Sequence, residues 1–419
     1  MPLKSLTRRV TDHYLISPDF NGLPLGDLVD IDNGRELERL RQMIREGKLE
    51  IVSTSWDCNP SIKRLACPPT ERQLSCLDRD AGDLICVYPT PRWMHRQRAK
   101  TDATRPFTSR LQSAEPQLAW VPFDLAVLER YYRDPRYNLE MYNFGGHITI
   151  ADEHYHSDQV PARDKIILES FGYGRTRTHH QPVVIAFLRY LSNLTPEHQM
   201  HWNGHVIAEQ CEIEGNYYRV SVLGDWPESM SIHVAFLEEF KHINNLCSLI
   251  GRPPLFRNTF GDERPRGFGL MLRPTRSNYG EFIHLLDKMV SENIDRDFFV
   301  GTGIDLYRKI QKQDRSIESQ PKSSISLLEE WLKKSVRFRE TGLVESLLYP
   351  LKVTHRLRHP LAHAMQEDTF DPGYHKAQQR RLIRTYRALQ GIRLILSSHP
   401  SARTYKLPVF MEEEKIALP

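Results

Sequence analysis

The sequence of 419 residues has no long hydrophobic run. None of its apolar stretches reaches the roughly 18 residues that a membrane-spanning helix needs. The first residues, Met1-Pro2-Leu3-Lys4, lack the apolar core of a secretory signal peptide. We therefore expect a cytoplasmic protein with no membrane partner. The hydrophobic fraction of 40% and the charged fraction of 26% are typical of a globular protein.

Cysteines are also few. The chain has six, and four of them (Cys58, Cys67, Cys76 and Cys86) are spaced by nine, nine and ten positions. A structural zinc site usually requires two cysteines separated by only about two to four residues. The spacing therefore favours free thiols over zinc ligands. The sequence also lacks a glycine-rich nucleotide-binding motif and a fixed-period repeat, and we expect no metal and no cofactor.

Acidic residues are scarce in one part of the chain. Between residues 346 and 411, 11 lysines and arginines face only three acids, Glu367, Asp368 and Asp371, which gives a local net charge of +8. The whole chain carries only +4, so the remaining residues together are acidic. A basic region confined to one segment indicates a binding surface for a polyanion. The alternative is a helix face whose charges are simply solvated.

The pattern of apolar and turn residues predicts an α+β fold, in which a mixed α/β N-terminal and central region precedes an all-α helical bundle. A chain of this length is expected to form two to three domains. The predicted segments are an N-terminal region of residues 1–130, a central α/β domain of 131–311, a polar linker of 312–324, a helical bundle of 325–400 and a tail of 401–419.

Local signals predict the main elements inside these segments. Strands are predicted at residues 50–53, 84–88, 183–191, 206–213 and 216–223, the last two as a hairpin. Helices are predicted from Asn33 to Gly47, from Ser231 to Gly251, from Ser323 or Ser324 to Gly342, from Leu343, from Pro350 towards Pro360, and from Tyr374 to Ser397.

One short motif in the basic segment points to a reaction. Arg358 and His363 are five positions apart, with His359 directly after the arginine. RNA is cleaved when the 2′-hydroxyl attacks the adjacent phosphorus, which requires proton transfer and positive charge beside the phosphorane. A histidine can exchange protons near neutral pH, and an arginine can grip phosphate oxygens at two points. Arg358 and His363 supply these groups, and His355 and His359 are close enough in sequence to assist.

The geometry of this motif depends on Pro360. In a straight helix, five residues rotate His363 about 140° away from Arg358. Proline removes a helical hydrogen bond and crowds the carbonyl four residues earlier, so a kink or break at Pro360 could turn the two side chains towards one site. The alternative is that Pro360 ends a helix and that His363 bonds a nearby carbonyl.

Together with its surroundings, this segment resembles the HEPN family of nucleotide-binding and ribonuclease domains. That family is recognised by an arginine, a following Asn, Asp or His, and a later histidine, on a helix of a four- to five-helix bundle. Arg358, His359 and His363 match these positions, within residues 323–400. The resemblance implies a metal-independent endoribonuclease that acts as a homodimer with a composite cleft, in a family with many toxins and antiviral effectors.

RNA is accordingly the expected partner. The side chains predicted to bind it are Lys352, Arg356, Arg380, Arg384 and Arg387. On the last predicted helix, the side chains expected to face the core are Leu382, Tyr386, Leu389 and Leu396, with the three arginines on another side. A second basic stretch, residues 92–110, contains Trp93 and Phe107, a combination that suits single-stranded nucleic acid. We favour a solvated loop there.

Two other functions stay open. The first is a non-catalytic nucleic-acid-binding or dimerisation protein that uses the same basic helices. The second is a metal-dependent phosphoesterase built on one of two central clusters. These are His198, His201 and His205 near a helix, and Asp152, His154, His156 and Asp158, which would share one side of an extended segment. The N-terminal region is the expected place for a regulatory partner or ligand.

Overall fold

The computed structural model describes residues 5–18, 20–30, 33–57, 59–64, 66–77, 84–97, 102–142, 144–261, 264–311, 317–336, 342–363 and 367–417. The chain forms two compact units, residues 1–227 and 228–419. Helices and sheets together give the predicted α+β fold, which is confirmed. Within the described ranges, no helix is both long and apolar enough to cross a membrane.

The first unit begins with a small antiparallel sheet in the order β1-β3-β2, surrounded by short helices. These elements are α1 (Leu6–Ile16), β1 (Leu23–Pro24), α2 (Leu25–Leu28), α3 (Gly34–Arg45), β2 (Leu49–Ser53), α4 (Thr70–Leu77), β3 (Ile85–Pro89) and α5 (Pro91–Arg96). Asn33 caps α3, because its side chain accepts a hydrogen bond from the amide of Arg35. The predicted N-terminal helix and the two predicted strands of this sheet are confirmed.

A larger antiparallel sheet completes the first unit, in the order β4-β8-β7-β6-β5, with β9 paired to β7. Its elements are α6 (Pro106–Gln112), β4 (Trp120–Phe123), α7 (Glu129–Arg133), β5 (Tyr137–Tyr142), β6 (Gly145–Ile150), α8 (Asp152–Tyr155), β7 (Ile167–Thr176), β8 (Pro182–Phe187), α9 (Leu188–Ser192), α10 (Pro196–Asn203), β9 (Cys211–Ile213) and α11 (Gly215–Tyr218). The predicted strand at 183–191 is correct only as far as Phe187, where the buried apolar run continues as α9.

The predicted hairpin of residues 206–213 and 216–223 is wrong. Only Cys211–Ile213 is a strand, and the chain then forms α11 and a π-helical turn at Arg219–Leu223. The Glu214 side chain explains the change, because it accepts a hydrogen bond from the amide of Tyr217 at 2.9 Å and so caps a helix start. Apolar content alone did not distinguish this helix from a strand.

The second unit is dominated by five long helices that share one core. Its elements are β10 (Met230–Ser231), α12 (Ile232–Leu249), α13 (Arg276–Asp287), β11 (Tyr307–Gln311), β12 (Ile317–Pro321), α14 (Ser324–Ser335), α15 (Leu343–His363), α16 (Gly373–Ser397), α17 (Val409–Glu412) and β13 (Ile416–Ala417). A π-helical turn, Lys288–Glu292, continues directly from α13. The predicted caps are confirmed, because Ser231 and Ser323 accept hydrogen bonds from amides in the first turns of α12 and α14.

The predicted segment boundaries differ from the observed units. Phe236 on α12 and Leu286 on α13 belong to the same buried cluster as Leu389 on α16, so residues 228–311 are part of the helical unit. The predicted linker at 312–324 contains β12, which pairs with β11 from Tyr307 opposite Pro321 to Gln311 opposite Ile317. Polar composition suggested a linker, but a two-stranded antiparallel hairpin at a surface is also polar.

Two predicted helices are in fact one. α15 runs from Leu343 to His363 without a break at Pro350 or Pro360. The burial of Leu348 and Leu351 in the core explains why the helix continues through Pro350, because their packing offsets the lost hydrogen bond. The predicted tail is also folded. Met411 is buried, and β13 pairs in parallel with β10.

A buried ion pair joins α12 to α16. Arg393 Nε donates to Glu239 Oε2 at 2.7 Å, and the two side chains are 3% and 0% exposed. Burial raises the pKa of Glu239, although the hydrogen bond from Arg393 acts in the opposite direction. Neither charge is tolerable alone at such burial, so the pair fixes how these two helices align.

Candidate functional site

The arginine–histidine motif lies in the last two turns of α15. The backbone is helical through His363, so neither the break at Pro360 that could turn Arg358 and His363 together nor the alternative in which Pro360 ends the helix is observed. The side chains of residues 359–363, including His359 and His363, lie outside the described part of the chain. Arg358 and the residues before it are described with their side chains.

Arg358 points towards the end of α13. Its Nη1 donates to Asp287 Oδ2 at 3.2 Å and also to Glu292 Oε1. The hydrogen bond to Glu292 raises the pKa of Arg358; desolvation acts in the opposite direction, and the bond to Asp287 adds to the rise. Both contacts use Nη1, and the described residues provide no hydrogen-bond partner for Nε or Nη2. The Nε–Nη2 edge of a guanidinium carries the parallel pair of donors that can hold two oxygens of one phosphate.

His355 shares the same carboxylate. Its Nδ1 lies 3.1 Å from Asp287 Oδ2 and 3.2 Å from Oδ1. Asp287 is fully buried, whereas the His355 side chain is 41% exposed. An ionised carboxylate can only accept hydrogen bonds, so the His355 nitrogen that faces it carries the proton. Asp287 therefore orients one imidazole and one guanidinium from successive turns of α15.

The π turn after α13 explains why two carboxylates reach one arginine. Asp287 ends α13, and Glu292 ends the π turn five residues later. In a regular α-helix these positions would face about 140° apart. The wider π turn, with hydrogen bonds from i to i+5, brings such residues to the same side, and turns of this type are frequent at functional sites.

Two of the predicted RNA-binding residues lie elsewhere on α15. Lys352 Nζ donates to Glu329 Oε2 on α14 at 2.6 Å, so its charge is paired inside the bundle. Arg356 is exposed, and its guanidinium carbon lies 5.9 Å from the ring centre of Tyr349. Arg356 and Arg358 are two residues apart and therefore project from nearly opposite sides of the helix. The structure does not bring Lys352 or Arg356 together with Arg358.

The arginines of α16 form the predicted exposed stripe. Arg380, Arg384 and Arg387 are exposed, one helical turn apart. The apolar residues predicted to face the core are all buried, namely Leu382, Tyr386, Leu389 and Leu396. A Cβ at Gly391 would lie only 2.3 Å from Leu347, so the late part of α16 crosses the early part of α15. Of the three arginines, Arg380 is the farthest along α16 from this crossing, towards the end of α15 that holds Arg358.

The central histidines are engaged in packing. Tyr131 bonds to His198 Nδ1 at 2.8 Å, and His198 is fully buried. Desolvation lowers the pKa of His198 to about 4, so this imidazole is neutral near pH 7. His201 Nε2 lies 2.9 Å from the carbonyl of Val127. Among the described residues, no group of three or more His, Cys, Asp or Glu side chains is arranged to hold a metal ion.

The two other candidate segments are partly helical, and because α5 and α6 cover much of the basic stretch at 92–110, the solvated loop favoured there is wrong. Residues 152–155 form α8, so the acids and histidines of 152–158 do not share one side of an extended segment, as the metal-site alternative required. In the basic stretch at 92–110, Phe107 is fully buried in the core. Trp93 Nε1 donates to Thr11 Oγ1 at 3.2 Å. Neither ring is presented for stacking on bases.

Sequence reasoning missed the two acids of this site. Asp287 and Glu292 precede Arg358 by 71 and 66 positions. They lie outside the basic segment, and no local pattern connects them to α15. Comparisons of the chain with models of known protein families, with curated proteins and with solved structures find no match.

Proposed function

We propose that this protein is a metal-independent endoribonuclease whose active site lies at the end of α15. Arg358, His363 and His359 are the proposed catalytic residues, as in the HEPN family that the motif resembles. RNA is the proposed partner. A role as a toxin or antiviral effector in the cytoplasm, regulated through the first unit, is the corresponding biological proposal.

The proposed reaction needs no additional reactant. The 2′-hydroxyl oxygen attacks the adjacent phosphorus and forms a new bond while a histidine accepts its proton. The bond from phosphorus to the 5′-oxygen breaks, and a protonated histidine returns a proton to that oxygen. The products are a 2′,3′-cyclic phosphate and a free 5′-hydroxyl. Arg358 would stabilise the negative charge on the phosphorane oxygens.

One observation carries this proposal. Arg358 is held through Nη1 by Asp287 and Glu292 while its Nε–Nη2 edge has no partner among the described residues. A guanidinium fixed in this way loses little side-chain entropy when it binds an anion, because its position is already set. The exposed arginines of α16 support the proposal, since cations that track other phosphates would hold the RNA across the same end of the bundle.

The test uses the full chain, total RNA and purified tRNA, with and without EDTA. We expect cleavage that EDTA does not change, products that end in 2′,3′-cyclic phosphate, and no cleavage of DNA. His363→Ala and Arg358→Ala should each reduce cleavage by roughly 10²–10⁴-fold. His399→Ala is the matched control, because His399 is an exposed histidine at the far end of α16 and should not affect the rate. Loss of activity in EDTA, or equal cleavage of DNA, would overturn the proposal.

A second candidate function has its own support. Lys352 and Arg358 both take part in ion pairs between helices, so each cation already has an acidic partner within the fold. A non-catalytic RNA-binding or dimerisation protein would bind RNA in the same assay and would leave it intact.

A further inference from the structure

The candidate site contains a histidine that the motif does not include. His355 lies three residues before Arg358 on the same helix, and its Nδ1 faces both oxygens of the Asp287 carboxylate. The carboxylate is fully buried, and the imidazole is partly exposed. A buried acceptor on one edge of a half-exposed imidazole fixes both the orientation of the ring and the nitrogen that holds the proton.

We propose that His355 is the general base of the RNA cleavage reaction and that Asp287 is its positioning residue. This inference rests on the proposed function and adds a catalytic group to it. In the neutral ring, the proton on Nδ1 is donated to Asp287, so Nε2 is left as the acceptor. His355 Nε2 takes the proton of the 2′-hydroxyl while the bond from the 2′-oxygen to phosphorus forms. The bond to the 5′-oxygen then breaks, and the protonated imidazole of His359 or His363 supplies the proton to that oxygen.

The position of His355 suits a mechanism in which one histidine is the general base and another is the general acid. His355 and His359 are one helical turn, about 6 Å, apart along α15, and Arg358 lies between them in sequence. A base and an acid that act on opposite sides of one phosphate must both reach it, with the charge-stabilising group near both. Asp287 contacts both His355 and Arg358, so a single buried carboxylate sets the spacing of base and guanidinium.

The first measurement determines which nitrogen of the His355 imidazole carries the proton. In the full chain labelled with ¹⁵N-histidine, the His355 signal is assigned by its loss in His355→Gln, and spectra are recorded at alkaline pH, where imidazoles are neutral. We expect the tautomer with the proton on Nδ1. In Asp287→Leu, the acceptor that faces Nδ1 is lost, so nothing holds the proton on that nitrogen, and a neutral imidazole without such a partner favours the proton on Nε2. The proton of His355 should then move to Nε2.

Glu292→Gln is the matched control for that measurement. It removes the other carboxylate partner of Arg358 but leaves the contact between Asp287 and His355 intact. The tautomer of His355 should therefore stay as in the native protein. A native His355 that carries its proton on Nε2, or a tautomer that Asp287→Leu does not change, would overturn the positioning role.

The second measurement is the rate of RNA cleavage. His355→Gln and Asp287→Asn should each lower kcat by roughly 10²–10⁴-fold with little change in KM, since proton transfer and not binding is affected. Asp287→Glu should restore part of the rate because it keeps a carboxylate. If the native protein cleaves RNA and His355→Gln cleaves it equally well, the role of His355 is wrong although the ribonuclease assignment stands. If the native protein does not cleave RNA, the inference fails together with the proposed function, whatever tautomer is found.

Discussion

At the scale of single residues, Arg358 forms ion pairs with two acids that differ in their exposure to solvent. Asp287 is fully buried, whereas the Glu292 side chain is 45% exposed. A buried carboxylate holds its partner strongly, but an exposed ion pair is worth only about 0–1 kcal/mol. Glu292 is therefore the partner that a phosphate can most readily replace or repel.

This difference predicts the behaviour of Glu292→Gln. Removal of its negative charge should increase the affinity for RNA by up to about fivefold, because the nearby anion no longer opposes phosphate binding. Affinity is measured with the cleavage-deficient His363→Ala background, so that the RNA stays intact. Glu318→Gln, at an exposed position on β12, is the control for a general change in charge. Unchanged or weaker binding in Glu292→Gln would show that phosphate does not approach this guanidinium.

The sequence could predict which residue types take part but not how they are held. Arg358, His359 and His363 form a local motif, and their spacing is visible in any window of the sequence. The partners Asp287 and Glu292 come from another helix, and only tertiary packing brings them to α15. A charge count limited to residues 346–411 left out these two acids, which neutralise part of the positive charge of that segment.

At the scale of elements, α16 offers the clearest division between a buried and an exposed face. Its apolar residues are buried, and Arg380, Arg384 and Arg387 are exposed. Each phosphate that they neutralise should release counterions, so RNA affinity should fall steeply with salt. Replacing all three by Ala should reduce the dependence of log affinity on log salt by about two to three units. The measurement is a salt titration of RNA binding.

The control for this titration is an equal loss of charge elsewhere. Arg35, Arg39 and Arg163 are exposed arginines of the first unit, and their triple Ala variant should keep the native salt dependence. If log affinity falls equally steeply with log salt in the native protein and in the α16 variant, then Arg380, Arg384 and Arg387 are solvated and do not contact RNA.

The ion pair between α12 and α16 leads to a prediction about stability. Glu239→Gln should reduce the free energy of unfolding by about 3–5 kcal/mol, because it leaves the buried Arg393 charge uncompensated. The double variant Glu239→Leu with Arg393→Met should be much closer to the native protein, since it removes both charges. Urea denaturation of all three proteins measures this. A double variant less stable than Glu239→Gln would show that the charges themselves hold the helices together.

Helices were predicted from sequence more reliably than strands. α3, α12 and α14 have side-chain caps, and the starts of all three and of α16 agree with the sequence within a few residues. Short apolar runs do not separate strand from helix, as residues 216–223 show. The joining of two predicted helices into α15 could not be foreseen, because proline favours a break and only the surrounding core overrides it.

For the whole molecule, the proposed reaction predicts a two-fold dimer of the helical unit with the α15 motifs near the axis. One arginine and a few histidines are a small set for acid–base catalysis, and an isologous interface doubles it without any further sequence. The specific activity should fall on dilution below the dimerisation constant found by analytical ultracentrifugation. Full specific activity of a monomer at the same concentration would contradict this.

The overall architecture was only partly predictable. The α+β class and a helical C-terminal part follow from periodicity, because each helix and strand carries a local pattern. The boundary between the two units does not follow from periodicity, because it depends on which buried faces share a core. Phe236 and Leu389 are more than 150 positions apart, yet they belong to one cluster. In the first unit, the two clusters weighed as metal sites are not arranged as such among the described residues, and His198 is buried and bonded to Tyr131.

The central claim is that the 2′-hydroxyl of RNA is the nucleophile at the end of α15. The most direct test is an RNA oligonucleotide that the protein cleaves at one position, compared in EDTA with the same oligonucleotide carrying a single 2′-deoxyribose before that bond. The account predicts cleavage of the all-RNA strand to a 2′,3′-cyclic phosphate and no cleavage at that bond of the substituted strand. Cleavage of the substituted strand at the same bond and rate would contradict it.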